Sequence, residues 1–361
     1  MGTLNVKCSK EKSDFTLFWG ITMVTIEDIA REAGVSTTTV SNVIHGRTNK
    51  VSANTVDIIT EIIRERGYVP NLSARAIKTR STKVVALINH LESQDQEKFM
   101  SDPFFMDLTS AVEKSLREQG YFLMIRAISE SDQLLAFLRN WNVEGVFMPG
   151  LFESEPFYHT LRELDMPVVL TDSYISDLGN MVNIGLADFE GARLAIQHLI
   201  ENGHKRIVFA SPAIKVGGVV EQRLLGYKAA LEANGLPFDP SLVYECEFST
   251  TKMMEQGARL AKREDITAVF ATADLLAAGI MSGLQQAGRM VPRDISVVGF
   301  DDINWSRMTM PMLTTVRQEA MKKGRMAAEC MLKLLAGEPV GVHNRILPVQ
   351  LVCRDSVRRI G

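Results

Sequence analysis

Thr25-Ile26-Glu27-Asp28-Ile29-Ala30-Arg31-Glu32-Ala33-Gly34-Val35-Ser36-Thr37-Thr38-Thr39-Val40-Ser41 reads as two short helices about a glycine turn. Thr25 is placed to cap the first helix, and Asp28 closes a capping box near the positive end of its dipole. Ile26, Ile29, Ala30 and Ala33 recur at helical spacing, and Gly34 supplies a left-handed stop. Ser36 caps a second helix running to Ile44. Its apolar positions are Val40, Val43 and Ile44, and its polar ones are Thr37, Thr38, Ser41 and Asn42. After Gly46 and Arg47, Ser52 caps a third helix. Its stripe is Val56, Ile59 and Ile63, with Ile58 and Ile62 beside it, and Gly67 ends it. Helix, glycine turn, helix is the helix-turn-helix arrangement. Periodicity alone fits a generic three-helix bundle equally well. The outward face, however, carries short hydrogen-bonding side chains of the kind that fit a groove, not solubilising Lys and Glu.

Charge points the same way. Residues 24–83 hold nine Lys/Arg against six Asp/Glu, while residues 84–361 hold 28 against 35. A small basic segment on a larger acidic body suits an anionic partner for the first part only. At 361 residues the chain is long enough for two or three domains. Hydrophobic residues at 46% and charged residues at 23% exclude wholesale disorder. The longest apolar runs fall short of a membrane-spanning helix. Cys8, Cys246, Cys330 and Cys353 form no CxxC pair, which excludes the common zinc and redox signatures and suits a reducing compartment.

At the N-terminus Lys7, Lys10 and Lys12 precede the apolar run Phe15-Thr16-Leu17-Phe18-Trp19-Gly20-Ile21-Thr22-Met23-Val24, which has the look of a secretion signal. No small-x-small cleavage site follows and a helical module starts at once. Residues 1–23 are therefore expected to be a disordered extension, or translation to start naturally at Met23.

From Val84 the pattern changes. Short apolar runs over residues 84–88, 121–125, 145–148 and 168–170 are expected strands, followed by a second series over 206–210, 268–271 and 295–300. Helical spacing lies between them: Leu108, Val112 and Leu116, then Ala192, Ile196 and Ile200 before Gly203. Alternating strand and helix means parallel sheets flanked by helices, and continuous apolar strands mean sheets covered on both faces. Two series mean two lobes. Ligands of open α/β sheets bind beyond the carboxyl ends of the strands. Asp172 and Asp301 follow two of these strands, Arg223 opens a helix, Phe104 and Phe105 follow the first strand, and Phe248 ends another. Singly, each also fits an ordinary structural role.

The run from Val24 to Ser41, together with Val51-Ser52 and Gly67-Tyr68-Val69-Pro70-Asn71, closely resembles the DNA-binding head of lactose-repressor/galactose-repressor (LacI/GalR) transcription regulators. The resemblance continues to the C-terminus. It implies a small all-α helix-turn-helix head, residues 24–70, and a hinge helix, residues 71–82. Beyond them it implies an α/β core of two lobes like periplasmic sugar-binding proteins, residues 83–361, with the chain crossing between lobes near residues 177–182, 308–312 and 343–346. It places base reading on Thr37, Thr38 and Asn42. Phosphate contact or positioning falls to Ser36, Ser41, Ser52, Tyr68 and Asn71. Ala74 lies in the hinge, and Ile77 is the minor-groove wedge, where relatives usually carry Leu. Lys78 and Arg80 are expected to add nonspecific phosphate attraction. Many relatives carry Arg where this chain has Asn42, so an A·T pair is expected opposite it.

For the effector the resemblance implies Asp172, Arg223 and Asp301, lined by Phe104, Phe105 and Phe248, with Gln318 either reaching the ligand or lying as a satisfied surface amide. Ala273-Asp274 stands where relatives often have Asn-Asp, so one amide contact is missing and the effector is expected to differ from the simplest hexoses. The implied protein is a cytoplasmic repressor. It binds a palindromic operator as a homodimer, without cofactor or membrane, under control of a small sugar-like effector. A dimer rather than a tetramer is expected because no leucine-heptad tail precedes Gly361. The rival is an exported solute-binding protein. Enzymatic readings find no GxSxG, Walker A, GxGxxG or HExxH. His45, His90, His159, His198, His204 and His343 show no metal-ligand spacing.

Overall fold

The computed structural model describes residues 24–68, 81–90 and 102–361. They fall into two compact units, the helical head and everything from Ser81 onward. In the head, α1 (Ile26–Ala33), α2 (Thr37–Ile44) and α3 (Ala53–Arg66) form as the caps dictate. The Thr25–Asp28 capping box is complete, Ser36 and Ser52 accept from Thr39 N and Thr55 N, and Gly34 and Gly67 end α1 and α3 at φ 67° and 61°. Ile29, Ala30, Val40, Ile59 and Ile62 are the buried core. Of the expected α3 residues, Ile59 and Ile62 are buried and Ile63 packs against the core, while Ile58 is 44% exposed.

The larger unit holds two six-stranded sheets. Its elements are β1 (Val84–Asn89), α4 (Pro103–Glu118), β2 (Phe122–Ala127), α5 (Ser131–Asn140), β3 (Gly145–Pro149), α6 (Pro156–Arg162), β4 (Val168–Thr171), β5 (Val182–Leu186) and α7 (Asp188–Glu201). They continue as β6 (Ile207–Ser211), α8 (Val219–Ala233), β7 (Val243–Glu245), α9 (Thr250–Leu260), β8 (Ala268–Ala271), α10 (Asp274–Gln286) and β9 (Ser296–Asp301). The chain ends with β10 (Thr314–Arg317), α11 (Ala320–Leu335), β11 (Asn344–Leu347) and β12 (Gln350–Val352). The N-lobe sheet runs β11-β5-β4-β3-β1-β2 and the C-lobe sheet β12-β10-β9-β8-β6-β7. Every pairing is parallel except β10 with β12. The central strands β1, β3, β4, β6, β8 and β9 are buried along most or all of their length, as two-faced coverage requires.

The chain changes lobes at other places than expected. It passes from β5 to α7 at Ala187, from β10 to α11 at Gln318 and Glu319, and from β11 to β12 at Pro348 and Val349. The expected crossings at residues 177–182 and 308–312 are instead loops within one lobe, since β5 belongs to the N-lobe sheet and β10 to the C-lobe sheet. The third expectation fell on β11 itself, a few residues early.

Candidate functional site

Two surfaces carry the candidate residues. On the head, Thr37 and Thr38 are exposed on the first turn of α2, and Ser41 and Asn42 are half-buried on its next turn. The Ser36 hydroxyl is 2.9 Å from Thr39 Oγ1 and accepts from Thr39 N, and Ser52 does the same for Thr55. Both serines thus hold the start of a helix in place. Tyr68 packs on the head core, and burial raises its phenol. Asn71, Ala74, Ile77, Lys78, Arg80 and residues 1–23 lie outside the described residues.

In the larger unit a cavity of about 660 Å³ opens between the lobes, and Phe104, Phe105, Asp172, Arg223, Phe248, Asp301 and Gln318 all line it. They come from both lobes: α4 and the end of β4 on one side, α8, the segment after β7 and the end of β9 on the other, with Gln318 in a crossover. Gln318 is 6% exposed, so it is no surface amide. Asp172 and Asp301 sit at φ 54° and 120°, in left-handed backbone that costs an L residue energy and concentrates at functional sites.

Beneath the cavity the charges are tied into two hydrogen-bonded groups. Arg223 donates through Nε to Asp188 Oδ1 at 2.8 Å and through Nη1 to the Thr272 carbonyl, and lies 3.6 Å over the Phe300 ring. Tyr174 donates to the other oxygen of Asp188 at 2.7 Å. Lys323, with 0% exposure, donates to Asp172 and to Gln318 Oε1 at 3.1 Å. Gln318 in turn donates to Asp301. A chain of bonds therefore runs from an N-lobe carboxylate through a buried ammonium and a crossover amide to a C-lobe carboxylate. Burial raises Asp172 despite the Lys323 charge beside it. Burial likewise pushes Asp301 up to about 7, with Asp102 adding to the rise and Arg223 opposing it. Asp274, buried beside Asp301 and bonded by Thr315 and the Ile303 N–H, is raised as well. The Thr272 hydroxyl, in the cavity wall, has no hydrogen-bond partner among the described residues.

Lys323, Asp188 and Tyr174 were not singled out in the sequence. Asp188 carried the same signal as Asp172, an acid just past an apolar run. Lys323 had a subtler one: with Ala320, Gly324, Ala327 and Met331 it falls on the inward stripe of α11, where a lysine is out of place unless paired. No group of three metal-ligating side chains occurs among the described residues, and none of their helices is long and apolar enough to cross a membrane.

A helix-turn-helix head joined to a two-lobed core with an interlobe cavity that holds a few converging charged groups defines a ligand-responsive DNA-binding protein. Residues 25–71 match the family model for bacterial regulatory proteins of the lacI family, and residues 196–357 that of the periplasmic binding protein-like domain. The chain is 33% identical over 338 residues to the HTH-type transcriptional regulator CelR of Thermobifida fusca, covering 92% of this chain and 98% of that protein. It is 32% identical over 340 residues to the regulator MalR of Clostridium butyricum, with coverage of 92% and 98%. Among solved structures, the lac repressor dimer bound to operator and the anti-inducer ONPF aligns with a TM-score of 0.79 at 25% identity, over 93% of this chain and 99% of that one. A CelR–cellobiose complex aligns with a TM-score of 0.68 at 30% identity, over 92% and 99%. The chain belongs to the LacI family. It is a DNA-binding transcriptional regulator, not an enzyme.

Proposed function

We propose that the protein is a cytoplasmic repressor that binds a palindromic operator as a homodimer and is controlled by a small, hydroxylated, sugar-like effector held between its lobes. Residues 24–70 bind DNA, 71–82 form the hinge, and 83–361 bind effector and partner. Thr37, Thr38 and Asn42 read bases. Ser36, Ser41, Ser52, Tyr68 and Asn71 position the head on phosphates, and Ala74 and Ile77 serve the minor groove. Ser36 and Ser52 suit the positioning role because each fixes a helix N-terminus, which attracts phosphate. The effector site is Phe104, Phe105, Asp172, Arg223, Phe248, Asp301 and Gln318.

One observation carries the effector reading: these seven residues, taken from both lobes and a crossover, line a single cavity. Carboxylates and a guanidinium serve hydroxyls as acceptors and donors, and rings pack on a sugar face. The CelR–cellobiose complex supports a sugar. An effector that touches both lobes biases their arrangement, and with it the spacing of the paired hinges and the affinity for DNA.

A thermal-shift screen of sugars, glycosides and nucleosides tests this reading. A hit is expected to lose its shift in Asp301→Asn. An unchanged shift there would place the effector elsewhere.

A further inference from the structure

The chain enters the core at Ser81, and one carboxylate receives it. Glu144 Oε1 accepts from Ser81 Oγ and from the Lys83 N–H, each at 2.8 Å. Between them Thr82 Oγ1 has one proton to give. It stands closer to the Asn142 carbonyl, at 2.7 Å, than to Glu144 Oε1, at 3.3 Å. Lys83 donates through Nζ to the Tyr121 hydroxyl at 2.9 Å and lies 4.0 Å over that ring. Its backbone sits at φ 58°, a left-handed conformation that an L residue keeps only where its surroundings hold it. Glu144 is half-buried, so these charge-assisted bonds are partly shielded from water.

Lys83 stands just before β1, Tyr121 just before β2, and Asn142 and Glu144 just before β3. These strands run parallel, so the incoming chain is gripped at the amino ends of three neighbouring strands. Ladder pairing begins only at Lys83, whose carbonyl accepts from the Phe122 N–H at 2.7 Å. The carboxyl ends of β3 and β4 lead into the cavity wall at Pro149, Gly150 and Asp172. Cavity and chain entry therefore lie at opposite ends of the same strands. β3 joins them, five residues and roughly 17 Å long, and is buried over four of the five. A strand packed on both faces moves as a unit, so a shift of the N-lobe at the cavity carries Glu144 with it.

We propose that Glu144 is a positioning residue for operator binding: it fixes the direction in which the linker leaves the core, and so sets the half-site spacing that the dimer accepts. This rests on the reading of the protein as a homodimer on a palindrome, and on no particular effector. Each head follows its own linker, so the separation of half-sites that both heads reach depends on the two exits. A linker free to swivel at Ser81 reaches several separations at similar cost. One held at Ser81 and Lys83 reaches fewer. Glu144 acts on DNA only through the linker.

The test is a spacing series on the full chain, read by fluorescence anisotropy. It uses a palindrome selected from random duplexes, the same palindrome with base pairs added or removed at its centre, and a scrambled duplex. Wild type is expected to lose about tenfold or more in affinity when the spacing changes, because both heads no longer engage together. In Glu144→Ala that penalty is expected to fall below about threefold, with affinity for the scrambled duplex unchanged. Glu144→Gln keeps an acceptor oxygen and is expected to keep most of the penalty. Ser81→Ala combined with Thr82→Val leaves the carboxylate but removes two hydroxyls, and is expected to give an intermediate penalty. That double variant carries the test if Glu144→Ala does not fold. A purely structural role for Glu144 would lower the thermal stability of the core and leave the spacing penalty at its wild-type value. That result in Glu144→Ala, or in the double variant standing in for it, would overturn the proposal. A wild-type preference for the palindrome without any spacing penalty would overturn the proposal alone. Wild type binding palindrome and scramble equally would overturn the operator reading and the proposal with it.

Discussion

Asp301 is the residue whose chemistry is most exposed to test. Its carboxyl is raised to about 7, whereas in the unfolded chain it titrates near 3.8. The folded form therefore holds its proton more tightly. The stability this contributes is complete below about pH 4 and is lost as pH rises to about 7. Thermal denaturation between those limits is expected to show that slope flattened in Asp301→Asn, by an amount on the order of a few kcal/mol. Lys323 is the second such residue. Lys323→Met leaves Asp172, whose side chain is 17% exposed, without its cation, so urea unfolding is expected to show a loss of up to about 3 kcal/mol, the low end for breaking a buried pair. Adding Asp172→Asn is expected to restore most of it; no recovery would mean that the pair matters less than the volume. Asp172 and Asp301 were legible from position at strand ends and from resemblance. Lys323 was not, because lysine reads as surface and only its partners, 151 and five residues away in sequence, make its burial tolerable.

At the scale of elements, caps and close packings decide stability. The Thr25–Asp28 box satisfies the start of α1 twice over, and Thr25→Ala is expected to lower head stability by about 0.5–2 kcal/mol in thermal unfolding. Gly226 lies where α8 crosses α7, and a Cβ there would fall on the Phe189 carbonyl. Gly226→Ala is expected to cost about 1–3 kcal/mol of core stability and to leave the head unaffected. The three head helices could be read because each boundary has its own local signal, a serine, threonine or glycine. The central strands could be read because coverage on both faces makes them continuously apolar. β7 and β12 have three residues each, too few for periodicity to show, and β11 is polar at an edge. β5 is interrupted by Asn183, whose amide donates to Ser173 O and Asn344 Oδ1, a compensation invisible without the fold.

For the whole molecule, those short strands mattered most, because they fix where the chain changes lobes. The crossings that the resemblance implied missed Ala187 and fell short of Gln318, which the sequence had offered as a ligand contact and which the fold shows to be both crossover and cavity wall. With the crossings placed, the bonded chain Asp172–Lys323–Gln318–Asp301 runs from lobe to lobe beneath the cavity, where an effector at Asp301 or Gln318 would disturb it. DNA binding by the basic head is expected to weaken steeply with salt, read as the slope of log affinity against log salt. The central claim joins head to cavity, and one measurement meets it directly: the affinity of the full chain for a palindrome selected from random duplexes, against a scrambled duplex, with and without the thermal-shift hit. The account predicts a preferred palindrome carrying A·T opposite Asn42 and an affinity that the hit changes at least about tenfold, a coupling of roughly 1.4 kcal/mol. Equal binding to palindrome and scramble, or a palindrome affinity indifferent to the bound ligand, would contradict it.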